Sequence, residues 1–408
     1  VSQRTGGIMT GHRSERAFSI LPGAIIASML FAISQSRTAL AIDPDIPRIQ
    51  GGAERGSIQQ QIELAAAYLA GRGVPRDEAQ AAYWYEKAAN AGDPGAQQEI
   101  GFFYQAGIGV KRDPARAAQW FGRAVSGGLI SAKVNLGVAY VWGLGERKDP
   151  VFAAQLFRDA AQKGNGAGAR YLGLMYQLGF GIPKDASQAR HWFELAAKLH
   201  SVPAKYDLAL MLLQEPDAVN RDRAFQLLRE SAAGGVVAAK HQLGLEILHR
   251  PDLARTSNEA VTLLEEAASD GFWKSSVVLG ILSRDGIQME RDSKTAYFHF
   301  RVSALQGSEK ASALVANDLR KLSLELGQTQ IQAIDQQADE WVQKHSRPLE
   351  FVDMPAEKGS MFPAYALQYP AKDIHAGLLL GSPEADVGGI PDIGEPSPRY
   401  GLNMRGRN

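Results

Sequence analysis

One spacing constrains this chain more than its composition does: four Gly-x-Gly turns, opening at Gly71, Gly107, Gly143 and Gly179, stand 36 residues apart. An aspartate follows each turn at a fixed phase (Asp77, Asp113, Asp149 and Asp185), and seven residues later come Trp84, Trp120, Leu156 and Trp192. A pair of leucine or isoleucine with glycine recurs in step at Ile100-Gly101, Leu136-Gly137, Leu172-Gly173, Leu243-Gly244 and Leu279-Gly280, with Leu64-Ala65 and Leu208-Ala209 as variants. One residue is missing between Leu208 and Leu227, after which the Trp phase resumes as Leu227, Leu263 and His299, so seven copies are visible. Self-similarity at such a period marks stacked units that hide their apolar faces only against one another.

Each copy reads as two helices. In the stretch from Pro94 to Gly107, Ala96, Ile100, Phe103 and Tyr104 fall on one stripe, which predicts an amphipathic helix A ending at a glycine able to adopt the left-handed cap conformation. Helix B starts at Asp113, whose carboxylate is placed to accept hydrogen bonds from the free first-turn amides, with Pro114 in the first helical position. Asp149-Pro150 repeats the device, and Asn220, Thr256 and Asp292, all capping types, hold that phase in later copies. Asp77, Asp113, Asp149, Asp185 and Asp292 are therefore expected to be structural caps, not catalytic acids. Helix B carries Ala117, Trp120, Phe121 and Ala124 on its stripe, and an alanine precedes the Trp phase by three residues in every copy: Ala81, Ala117, Ala153, Ala189, Ala224, Ala260 and Ala296. Small and large side chains at facing positions let helices approach closely.

Leu136, Tyr140, Gly143, Gly145, Asp149, Ala153, Ala160, Ala161 and Gly164 trace a pattern that resembles the Sel1-like repeat, a relative of the tetratricopeptide repeat, over about residues 57 to 307. The resemblance implies an all-α fold, a right-handed α-solenoid of helical hairpins, and a role as adaptor or scaffold in bacterial signalling or envelope assembly. Copies five and six depart from it, since "QEPDAVN" and "HRPDLART" lack the Gly-x-Gly. The absence of cysteine places the chain outside the disulfide-rich branch of that family.

The first 41 residues are expected to be a signal peptide: Arg4, Arg13 and Arg16 precede an apolar run from Ala17 to Ile33, and Ala39 and Ala41 suit a peptidase cut after Ala41. An uncleaved anchor is the alternative, against which Pro22 and Gly23 in the run argue. Residues 42–56 are expected to be a linker, 308–345 a pair of capping helices in which Ala338 and Trp341 restore the Ala-x-x-Trp phase, and 346–408 a Pro- and Gly-rich extended tail. Within that tail, the segments from Phe362 to Pro370 and from His375 to Gly381 are apolar enough to dock on a groove.

The 44 basic and 44 acidic residues balance, which argues against nucleic acid as a partner. Without cysteine there is no thiol catalysis and no thiolate metal site. The Gly-x-Gly turns lack a third glycine and a following Lys-Ser/Thr, and they follow helices, which removes dinucleotide and phosphate-loop readings. Nucleophile and zinc-helix motifs are absent, and His241 and His249 have no partner spacing for a metal, so no cofactor is expected. The expected function is that of a periplasmic or secreted non-enzymatic scaffold binding a protein partner, without stable membrane insertion once the signal is cut. A binder of cell-wall glycan such as peptidoglycan, or of peptide, is the alternative; a hydrolase with an unrecognised site ranks last. Candidate contact residues are those just before the helix A leucine, Glu99, Asn135, Tyr171, Asp207 and Gln242, read as a polar row on the face that helix A lines, together with Trp142 off the shared Trp phase.

Overall fold

The computed structural model describes residues 45–345 apart from 216, 257 and 308, so the expected signal peptide and tail lie outside the described residues. Within the described residues the chain is helical throughout, an α-solenoid of hairpins. The coordinates divide into two units, before and after the bond between Gly127 and Gly128.

The first unit holds α1 (Ile46–Glu54), α2 (Ile58–Ala70), α3 (Glu78–Asn90), α4 (Pro94–Ala106) and α5 (Pro114–Ser126). Helix α1 occupies the stretch expected to be a linker. Asp45 caps it by accepting from the Arg48 amide, and Ile49, Gly52 and Ala53 are buried. The reason lies in the period: Ile49, Gly52 and Ala53 stand 36 residues before Tyr85, Ala88 and Ala89, the buried positions of α3. Helix α1 is thus an in-phase helix B. Gln61 Nε2 donates to the Ala53 carbonyl at 3.1 Å just as Gln97 Nε2 donates to Ala89 at 3.1 Å, so the same clasp joins α2 to α1 and α4 to α3.

The second unit holds α6 (Ile130–Trp142), α7 (Pro150–Gln162), α8 (Gly166–Leu178), α9 (Ala186–Lys198), α10 (Val202–Leu213), α11 (Ala218–Ala233), α12 (Val237–His249), α13 (Glu259–Ser269), α14 (Trp273–Asp285), α15 (Ser293–Gln306), α16 (Glu309–Glu325) and α17 (Gln328–His345). The pair α16 and α17 and the turn between them add Val315, Leu322, Leu326 and Ile334 to a core with Val277, Tyr297 and Phe300. Trp341 lies edge-on to Phe298, with ring centroids 6.2 Å apart.

Two local devices explain the repeat. The first is the turn. Gly71, Gly107, Gly143, Gly179 and Gly286 end their helices in the left-handed conformation, with φ from 65° to 76°. After each, the aspartate works twice: its side chain accepts a first-turn amide of helix B (Asp77 from Gln80, Asp113 from Arg116, Asp149 from Phe152, Asp185 from Ser187 and Gln188, Asp292 from Lys294). Its own amide donates back to the carbonyl of Tyr68, Tyr104, Tyr140, Tyr176 or Ser283, at 2.7–3.0 Å. One residue thereby fixes the angle between two helices.

The second device is the glycine of the Leu-Gly pair. A Cβ at Gly101, Gly137, Gly173 or Gly280 would stand 2.6–2.7 Å from the ring of Phe121, Phe157, Phe193 or Phe300, and these rings are fully buried. The deepest side chain of helix B is therefore the one after the Trp phase. At the Trp phase itself, Trp84, Trp120 and Leu156 are buried and Trp192 is half-buried.

The turn device fails where the sequence departs from it. Helix α11 starts three residues earlier than the period places it: Asp217 is its cap, and Asn220 lies inside the helix, donating from Nδ2 to Glu215 Oε2. Thr256 does not cap either, since α13 is preceded by Asn258, which makes no side-chain cap bond. Losing the glycines leaves α12 to end at Arg250 and run into a short 3-10 turn, Pro251–Leu253.

Candidate functional site

The polar row of helix A does not lie on a solvated face. Glu99, Asn135, Tyr171, Asp207 and Gln242 are all buried, with exposures between 1% for Asn135 and 9% for Gln242. Helix A packs on more than one neighbour, so the residue before its leucine faces another helix. Tyr171 stacks on Phe157 at 5.1 Å between centroids, and Asp207 pairs with Arg170 of α8 at 2.5 Å, which ties one helix A to the next. Gln242 Nε2 donates to Glu246 Oε1 at 3.0 Å. Glu99 has no hydrogen bond or ion pair among the described residues, and burial pushes its carboxyl up to about 8, which keeps it protonated near neutrality. Trp142 closes α6 half-buried, packed against the core of the second unit. Trp273 is half-buried as well.

Among the described residues, titratable groups elsewhere form no open reactive set. His241 Nδ1 lies 2.9 Å from Ser275 Oγ, but both side chains are buried and Ser275 is fully sealed, which makes the pair a packing contact between α12 and α14. Burial, with the Lys274 charge adding to it, lowers His241 to about 3. Among the described residues no cluster of histidine and carboxylate side chains is placed to hold a metal, and no helix is long and apolar enough to cross a membrane.

The surface that stands out is the turn edge of the third and fourth copies, inside the second unit. Helix α7 opens on Pro150, Val151 and Phe152, and the last two are exposed by 53% and 38%. The corresponding residues are Ala79-Gln80, Ala115-Arg116 and Ser187-Gln188 in neighbouring copies, so the third copy alone of these four carries a large apolar pair there. Phe152 lies edge-on to Tyr140 of α6, with centroids 4.9 Å apart. The fourth copy's turn leans on the same place: a Cβ at Gly181 would come within 2.6 Å of the Pro150 Cβ, which is why the second position of Gly-x-Gly admits no side chain. That approach brings half-buried Phe180 and Ile182 beside the start of α7, and Lys148 Nζ sits over the Phe180 ring at 5.0 Å. The tyrosine hydroxyls of this phase differ. Tyr104 donates to Glu86 and accepts from Arg116, and Tyr176 accepts from Arg158, whereas the Tyr140 hydroxyl has no hydrogen bond among the described residues. The sequence signal for this edge was the change from polar to Val151-Phe152 at one phase, visible only once the helix B surface positions are aligned.

With this architecture in hand, a model of the Sel1 repeat matches residues 61–93, 94–129, 130–165, 166–201, 202–236 and 277–308, half of the chain. The chain belongs to the Sel1 repeat family. Six of the seven copies read from the sequence are matched. The stretch left out, 237–276, contains the α12–α13 hairpin with its 3-10 turn in place of Gly-x-Gly. Among solved structures, a Sel1 repeat protein from Oxalobacter formigenes is similar over 62% of this chain and 100% of its own, at 24% identity and a TM-score of 0.55. A protective antigen of uropathogenic Escherichia coli with the same repeat fold covers 74% of this chain and 72% of its own, at 24% identity and a TM-score of 0.47. No curated protein matches the chain significantly. Sel1 repeats generally mediate protein–protein interaction as scaffolds.

Proposed function

We propose that this Sel1 repeat chain is an exported, non-enzymatic scaffold that holds a partner protein in the bacterial periplasm, and that the turn edge around Val151 and Phe152 is its contact surface. The observation that carries the reading is the exposure of two adjacent large apolar side chains at one copy of a repeat whose neighbouring copies carry Ala79-Gln80, Ala115-Arg116 and Ser187-Gln188 there. Exposed apolar groups set in a polar surround mark interaction sites, and aromatic anchors supply most of the binding energy. Export is supported by the pattern of residues 1–41, and the reading assigns no residue a catalytic role.

The test is in-cell photo-crosslinking with a benzophenone side chain at position 151, with Leu324, which is 84% exposed on α16, as the control site. A protein adduct from position 151 and none from 324 is the expected result, together with an N-terminus at Ile42 on the recovered chain. A glycan adduct, or no adduct at 151 in cells where the control chemistry works, overturns the reading.

A further inference from the structure

Resting on the proposed function, the geometry points to the chemistry of the partner: we infer that the turn edge around Val151, Phe152 and Tyr140 receives a peptide segment of another protein in which large apolar side chains are set among carboxylates.

The apolar half of the argument is shape. Val151 and the Phe152 ring stand out at the start of α7, Tyr140 is edge-on behind Phe152, and the Phe180–Ile182 turn flanks them because Gly181 rests on Pro150. An extended or helical segment laid over this ridge covers one or two large side chains, as aromatic-lined surfaces do in peptide recognition.

The charged half is an imbalance in what is left to bond. Three cations rim the ridge, Arg147, Lys148 and Lys184, all exposed and without a salt bridge among the described residues. Three carboxylates lie in the same turns. Two of them are occupied: Asp149 accepts from the Phe152 amide, and Asp185 from the Ser187 amide and hydroxyl and the Gln188 amide, each facing the positive end of a helix. Glu146, half-buried, is the carboxylate outside a cap. The Tyr140 hydroxyl adds a further open donor. A visitor therefore meets mostly donors and positive charge around an apolar centre, which favours carboxylates on its side.

The experiment uses the full chain and two short fluorescein-labelled probe peptides that share one Leu/Phe pattern and carry either Glu or Lys at all other positions, read by anisotropy. The Glu probe is expected to bind and the Lys probe to bind at least about tenfold more weakly, with Phe152→Ala losing about tenfold in affinity for the Glu probe. Arg147→Glu with Lys148→Glu is expected to invert the preference between the probes; circular dichroism confirms that the variants are folded. Equal binding of both probes, or an unchanged affinity in Phe152→Ala, overturns the inference. So does binding of anionic phosphatidylglycerol vesicles in place of the Glu probe, or self-association of the chain through this edge in sedimentation. A protein adduct at position 151 combined with charge-blind probe binding sinks the inference and leaves the scaffold reading intact; no adduct at 151 sinks the reading itself.

Discussion

At the scale of the residue, the same few positions carry the repeat, and the sequence showed most of them for physical reasons. Asp113 was legible as a cap because a short acceptor followed by proline suits a helix start, and it accepts from the Arg116 amide at 3.0 Å. Asp113→Ala is expected to lower the stability of the folded chain by about 1 kcal/mol, measured by urea unfolding, while leaving capture at position 151 unchanged. The Leu-Gly glycine was visible as a pattern without its cause, since a period cannot say what a missing side chain makes room for. The cause is the buried ring opposite. Gly137→Ala would set a Cβ 2.6 Å from the Phe157 ring, and overpacking of that kind is expected to cost about 1–3 kcal/mol, checked by the same unfolding transition. A further residue role was missed. A Cβ added at the helix-ending glycine would meet the Cβ of the basic residue before each capping aspartate, Arg76, Arg112, Lys148, Lys184 or Arg291, at 3.0–3.5 Å. Arg112 also brings its charge to the negative end of helix A, its Nε donating to the Gln105 carbonyl at 3.0 Å.

At the scale of the element, helix existence followed from the stripe, and helix surroundings did not. A single-helix stripe shows which face is most apolar; it does not show how many neighbours a helix has. Helix A is covered on more sides than its stripe implies, so Glu99, Asn135, Tyr171, Asp207 and Gln242 read as a polar edge and fold as an interior row. Burial of such groups is tolerated where they are paired, as Asp207 is by Arg170, or neutral, as protonated Glu99 is. The turn edge was harder to see for the opposite reason: its apolar pair lies on the outer start of helix B, where the period alone assigns only a cap. The shifted start of α11 follows from the replacement of the glycines: Glu215 and Asp217 stand where the period places them, and Asp217 takes over as cap.

For the molecule as a whole, two buried titratable groups in different units give stability a pH dependence of opposite sign. Glu99, raised from 4.5 to about 8, supports the first unit fully below pH 4.5, and that support is lost as pH rises to 8, because the unfolded chain releases the proton first. His241, lowered from 6.5 to about 3, supports the second unit fully above pH 6.5, and its contribution is lost as pH falls towards 3. Between 6.5 and 8 the contribution of Glu99 changes, while those of His241 and of His299, lowered by burial to about 4, are complete. Thermal unfolding is expected to shift downwards from pH 6.5 to pH 8 in the native chain, and Glu99→Gln is expected to flatten that slope; an equal slope in both would assign the effect elsewhere.

Helix α1 has a consequence for how such an array can grow or be shortened. It donates the inner half of a hairpin, with Ile49 in the place of Tyr85 and the Ala53 carbonyl in the place of Ala89. The first described helix is therefore already in phase with the repeat that follows it. An engineer splicing in a further unit would set it in register behind α1, whose Ala53 carbonyl already receives a helix A through Gln61.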